Sequence, residues 1–219
     1  MLERTLEPEV MDSPDEATTY DEMDHAEVNR LFVQDLLAVG DLGTDILDLG
    51  TGTARIPIEL CRQNDDVRVL AVDLAYSMLD VAKLNIEIAN VADRVTLGLV
   101  DAKALEYEDG AFSTVMSNSI VHHVPEPAVA LTQAVRVTKS GGLLFFRDLM
   151  RPESSSEVDR LVAEYAGDES DHAREMFYNS LHAALSLDEI RAMVEKLGFA
   201  GDTVQPTSDR HWTWVGRKN

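Results

Sequence analysis

The stretch Ile46-Leu47-Asp48-Leu49-Gly50-Thr51-Gly52-Thr53-Ala54-Arg55-Ile56-Pro57-Ile58-Glu59-Leu60 constrains the fold of this chain more than any other. It predicts a short buried strand from Ile46 to Leu49, a glycine turn, and a helix that begins around Thr53. Gly50 and Gly52 can take backbone angles closed to other residues. Their missing side chains also let a ligand lie against the main chain at the carboxyl edge of a sheet. A strand, a glycine turn and a helix N-terminus in that order make a nucleotide-type pocket.

The kind of nucleotide follows from charge. A dinucleotide site spaces its glycines G-x-G-x-x-G around a pyrophosphate. Here the series is Asp48-x-Gly50-x-Gly52-x-Ala54, with a carboxylate two positions before the first glycine. That carboxylate is unhelpful beside a pyrophosphate and suits a cationic ligand, because opposite charges attract strongly where water is partly excluded.

This spacing resembles motif I of the class I S-adenosylmethionine-dependent methyltransferases, with Ala54 standing where that family usually has a third glycine. The resemblance runs from about Asp41 to the C-terminus. It implies an α/β fold: a Rossmann-like, seven-stranded, mostly parallel sheet with the last strand antiparallel and helices on both faces. It also implies S-adenosyl-L-methionine as cofactor, S-adenosyl-L-homocysteine as product and a small-molecule methyl acceptor.

Later segments arrive in the expected order. Val67 to Val72 is a β-branched strand ending at Asp73, placed to accept the ribose hydroxyls of an adenosine, with Leu74 beside the adenine. Val95 to Val100 is a third strand followed by Asp101 and Ala102, where the family contacts the adenine; Asp101 has the alternative of capping the following turn. The resemblance extends the cofactor set to Thr51, Arg55 and Asn118. Gly110 to Asn118 is the fourth strand, and His122-His123 follows its tip, where the family presents the transferable methyl. One histidine could face the sulfonium as a base for a protonated nucleophile, or both could bond to the scaffold. Adjacent histidines point in different directions, so no metal is expected there.

Leu143 to Phe146 reads as the fifth strand, after a turn at Gly141-Gly142, and it leads into Arg147-Asp148. These two charges either sit beside the pocket, with Arg147 toward the substrate, or pair with one another. Residues 153–187 exceed a simple connection and look helical, from Val158 to Tyr165 and from Ala173 to Leu185, which predicts a substrate cover carrying Tyr178 and His182. Ser186-x-x-Glu189 is a capping-box pattern opening the last helix. Thr203 to Gln205 and His211 to Gly216 complete the sheet, the final strand inserted antiparallel.

At the other end, residues 1–25 are acidic and poor in large apolar groups. They read as an extended arm, either a disordered tail or a lid bringing Tyr20 over the pocket. A helix from Glu27 to Val39 follows, so residues 1–40 form an arm and helix ahead of a methyltransferase-like domain at 41–219.

Composition narrows the partners. Forty acidic against 19 basic residues give a formal charge of -21, which opposes wrapping a nucleic-acid backbone or docking on an anionic membrane. A soluble cytoplasmic enzyme, monomer or homodimer, acting on a small molecule is expected. The lone Cys61, among Ile58 and Leu60, reads as a buried structural thiol. Two other readings are a nicotinamide-dependent oxidoreductase, which would lack the antiparallel last strand, and a non-catalytic protein that keeps the fold.

Overall fold

Alternation along the central strands divides the hydrophobic residues between two faces of one sheet. The computed structural model describes residues 2–7, 12–23 and 25–219, so parts of the 1–25 arm lie outside the described residues. Strands β1 (Asp45–Leu49), β2 (Arg68–Asp73), β3 (Val95–Leu99), β4 (Phe112–Asn118), β5 (Thr138–Leu149), β6 (Val204–Pro206) and β7 (His211–Arg217) form a sheet of order β3-β2-β1-β4-β5-β7-β6. The first five are parallel, and β7 runs antiparallel to both neighbours, β5 and β6. This is the expected architecture.

Ile46, Val69, Met116 and Phe145 face one way, onto α2 (Ala26–Ala38), α3 (Arg55–Gln63) and α4 (Tyr76–Ile88). Leu47, Val115, Leu144 and Phe146 face the other, onto α5 (Pro127–Val137) and α8 (Leu187–Lys196), with Trp212 and Trp214 from β7. A sheet buried on both faces explains why its strands read as nearly continuous apolar runs. The Cys61 thiol is buried, and burial raises its pKa.

Three differences from the sequence reading have a clear physical cause. Helix α3 starts at Arg55 because Ala54 takes a left-handed conformation, φ 61°, a cost that glycine would not carry. Strand β5 starts at Thr138, five residues early: a register shift in its pairing with β4 absorbs Gly141-Gly142, which the sequence placed in a turn. Gly142 is obligatory there, since a Cβ would lie 2.8 Å from the carbonyl oxygens of both Lys139 and Ser113.

The third difference is in the arm. Rather than being extended throughout, it forms a helix, α1 (Pro14–Glu22), capped by the Ser13 side chain. Ala17 and Tyr20 pack it on Ala75, Met78 and Val81 at the start of α4. Residues 2–7 run as a strap across the helical cover, α6 (Ser155–Tyr165) and α7 (Asp171–Ala183): Leu2 joins the cluster of Leu149, Leu161 and Leu181, and the Thr5 amide donates to the His182 carbonyl at 3.1 Å. The capping box at α8 forms as its pattern predicts. No helix among the described residues is long and apolar enough to cross a membrane.

Candidate functional site

The parallel strands end at one edge, and β1 and β2 bring Asp48 and Asp73 there on the same face, Asp73 two residues beyond Ala71, the partner of Asp48. Asp48 is 2% exposed, and burial pushes its carboxyl up to about 7, with the nearby Asp73 charge adding to the rise. Among the described residues no cation pairs with Asp48. Burial likewise raises Asp73, although the amides of Ala75 and Gly52 offset part of the shift. Those amides donate to Asp73 Oδ1 at 2.9 Å and Oδ2 at 2.8 Å respectively, so the second strand's carboxylate holds the glycine turn in place.

A cavity of about 420 Å³ opens over this turn, lined by Asp48, Gly50, Thr51, Gly52, Arg55 and Asn118 from the domain and by Tyr20, Asp21 and His25 from the arm. The two glycines serve different ends. A Cβ on Gly50 would lie 1.9 Å from Ile120 Cγ2, so its missing side chain accommodates the chain after β4 rather than a ligand. A Cβ on Gly52 would meet only Tyr20 Cε1, at 3.7 Å. Tyr20 therefore roofs the turn, with α1 set over it.

The other expected cofactor residues are placed less centrally. Asp101 stands at the end of β3, next in line after Asp48 and Asp73, but it does not line the cavity. Its Oδ1 accepts from the Lys103 amide at 2.8 Å and lies 3.0 Å from Lys103 Nζ. Burial would raise its pKa, and the Lys103 amide and ammonium outweigh that and lower it. The turn-capping alternative is thus realised, whether or not the second oxygen serves a ligand. Leu74 is exposed, and neither Leu74 nor Ala102 reaches the cavity. Arg55 lines it while pairing with Asp21 on α1 at 2.6 Å.

The histidines form a separate cluster. His122, 3% exposed, holds its Nδ1 at 2.5 Å from Asp148 Oδ1, while Asp148 Oδ2 accepts from the amides of Val121 at 2.6 Å and His122 at 3.2 Å. Its Nε2 lies 3.5 Å from Glu7 Oε1, and His123 Nδ1 lies 3.1 Å from the same oxygen. Neither histidine lines the cavity over the glycine turn. Both turn toward the strap, their rings 4.2 Å apart, because the chain from Ser119 (φ 60°) makes a tight turn rather than a helix. The expectation that adjacent histidines diverge therefore fails here.

The substrate candidates separate likewise. Tyr178 and His182 stack at 4.7 Å on α7, beside the strap. Arg147 is elsewhere: successive residues of a strand point to opposite faces, so Asp148 turns to His122 and Arg147 turns to Asp35 on α2, 2.6 Å away, and to the Thr213 hydroxyl at 2.9 Å. Arg147 joins neither the histidine cluster nor the main cavity, and it does not pair with Asp148. Glu7, Asp21 and Ile120 are absent from the site residues expected from sequence, and Asp148, expected beside the pocket or paired with Arg147, is bonded to His122 instead. The alternation of β5 was a usable signal for Asp148; nothing local marks Glu7 among its acidic neighbours.

Comparison with known proteins fits this geometry. A family model described as a methyltransferase domain matches residues 47–146. The 27-O-demethylrifamycin SV methyltransferase of Amycolatopsis mediterranei is 29% identical over 195 residues, 89% of this chain and 66% of that protein. Over this region the chain is similar to the class I S-adenosylmethionine-dependent methyltransferases. An Aquifex aeolicus S-adenosylmethionine-dependent methyltransferase superposes with a TM-score of 0.68 over 93% of this chain and 97% of that one, at 17% identity, a likeness of fold. The Haemonchus contortus phosphoethanolamine N-methyltransferase 2, solved with phosphomonomethylethanolamine and S-adenosylhomocysteine, gives a TM-score of 0.61 over 77% and 36% of the two chains, at 22% identity. The chain spans about half the length of several other curated relatives it matches.

Similarity to this methyltransferase family makes the cavity's chemistry testable. The family's cofactor carries a sulfonium and an ammonium group. A buried carboxylate with no cation against it and an open backbone face at Gly52 fit such a group; a pyrophosphate would place like charges together.

Proposed function

We propose that this chain transfers a methyl group from S-adenosyl-L-methionine to a small-molecule acceptor, releasing S-adenosyl-L-homocysteine. The observation that carries the reading is the buried Asp48 carboxylate, with no cation against it among the described residues, facing the cavity beneath Tyr20. The bound cofactor supplies an activated methyl group that an in-line nucleophile can displace. The residues of this chain bind and orient: Asp48 attracts positive charge, Asp73 fixes the turn that presents Gly52, and α1 with Tyr20 excludes water from above. Alignment of this kind supplies much of the rate in such a displacement.

A protic acceptor also has to lose a proton. His122 and His123, four and five residues beyond Asn118, are the nearest imidazoles along the chain, and the strap carrying Glu7 has to open before either reaches an acceptor. The acceptor class rests on charge, since -21 disfavours nucleic acid and anionic membrane, and on the relative that acts on a rifamycin. The antiparallel β7 is the feature that the oxidoreductase reading lacked.

Isothermal titration with S-adenosylhomocysteine and with NADH tests the donor site. Binding of the first with no heat from the second is expected; the reverse overturns the reading. A methyl-labelled donor offered with a panel of hydroxylated and aminated small molecules then tests transfer.

A further inference from the structure

Glu7, His122 and His123 bring three donor atoms of the metal-binding type together on the far side of the Asn118 turn. All three lie within 4.8 Å of one another, and the Glu7 oxygen is 3.1 Å from one imidazole nitrogen and 3.5 Å from the other. A first-row divalent ion holds imidazole nitrogen and carboxylate oxygen at about 2.0–2.2 Å, which spaces its ligand atoms at about 3.0 Å for right angles and about 3.4 Å for tetrahedral ones. Both Glu7 separations match those edges.

The outer sides of the ligands are held as metal ligands usually are. Asp148 Oδ1 accepts a hydrogen bond from His122 Nδ1–H, which turns Nε2, as the ring's other nitrogen, toward Glu7. The Ser180 hydroxyl lies 3.2 and 3.3 Å from the two Glu7 oxygens and steadies that carboxylate. A lone pair and a carboxylate at this range repel unless something positive sits between them. Arg4, the nearby strap cation, does not fill that role. Its donors go to the carbonyl oxygens of Ala183, His122 and Val124. Mixed nitrogen and oxygen donors suit the Zn²⁺ type better than Mg²⁺ or Ca²⁺.

We infer that Glu7, His122 and His123 form a site for one Zn²⁺-type divalent cation, which clips the N-terminal strap onto the turn after β4. The site lies apart from the donor cavity over the glycine turn. Titrating ZnCl₂ into the intact chain, after EDTA treatment and dialysis, should show one equivalent bound. Glu7→Gln and His123→Ala should each weaken binding at least tenfold, and Ser180→Ala should do so by a smaller factor. Co²⁺ in place of Zn²⁺ should give a visible absorption band that changes in Glu7→Gln, with circular dichroism showing that the variant is folded. S-adenosylhomocysteine binding by the same samples should be unchanged, which separates loss of the cation from failure of the donor site. No stoichiometric uptake, or uptake that survives Glu7→Gln and disappears in His172→Ala, overturns the inference and leaves the cluster as a protonated ion pair.

Discussion

Asp21 on α1 and Arg55 on α3 form a two-point ion pair, with Arg55 Nε 2.9 Å from Oδ1 and Nη2 2.6 Å from Oδ2. Asn85 on α4 donates to the same Oδ1 at 2.9 Å and to the Thr53 carbonyl at 3.0 Å. One carboxylate thus ties α1 to both helices that flank the glycine turn. Partly exposed pairs contribute about 1 kcal/mol or less to stability, so the effect of losing this one is expected in ligand binding. Asp21→Ala should lower S-adenosylhomocysteine affinity roughly five- to tenfold, at about 1 kcal/mol per fivefold to tenfold change, with a melting shift of only a few degrees. Calorimetry of the variant checks both.

Asp48 should make donor binding pH-dependent. Its folded pKa of about 7 lies above the ordinary 3.8, so the unfolded chain releases this proton first. Stability from this group is therefore highest at low pH, falls as pH rises from about 4 to about 7, and is level above that, a total of roughly 4 kcal/mol. A cation beside Asp48 favours the ionised form, so binding near pH 6 should release close to one proton and binding at pH 8.5 close to none. Titrations in buffers of different ionisation enthalpy measure this. Asp48→Asn should raise the melting temperature of the unliganded protein at pH 8 and abolish the proton release.

Gly50 is expected to tolerate no side chain. Its φ of 70° and the 1.9 Å approach of Ile120 to a Cβ combine backbone strain with overlap. Gly50→Ala should destabilise the protein by about 2–4 kcal/mol. Adding Ile120→Ala should restore only part of this, because the strained angle remains. Urea unfolding of the single and double variants distinguishes the two contributions.

Asp148 should matter far more to stability than the other carboxylate paired with this segment. Asp148→Asn leaves a buried imidazole without its anion and should cost about 3–5 kcal/mol. Asp35→Asn removes a half-exposed partner from Arg147, which keeps its bond to Thr213, and should cost about 1 kcal/mol or less. Chemical denaturation of both variants tests the contrast.

Much of the molecule follows from short-range pattern. The strand-turn-helix at Ile46 to Leu60, the acids at the ends of β1, β2 and β3, the Ser186–Glu189 cap and the inserted last strand are each written within a few consecutive residues, where spacing and backbone preference act locally. Contacts between distant segments are not written that way. That Glu7 meets His122 and His123, that Asp21 latches Arg55, and that Ile120 rather than a ligand fills the space at Gly50 depend on segments tens to more than a hundred residues apart packing together. Arg147 and Asp148 show the division within one strand: their adjacency is plain in the sequence, and the alternation of β5 sends them to opposite faces. The partner each finds there, Asp35 or His122, is settled by which helix or turn the folded sheet sets against that face.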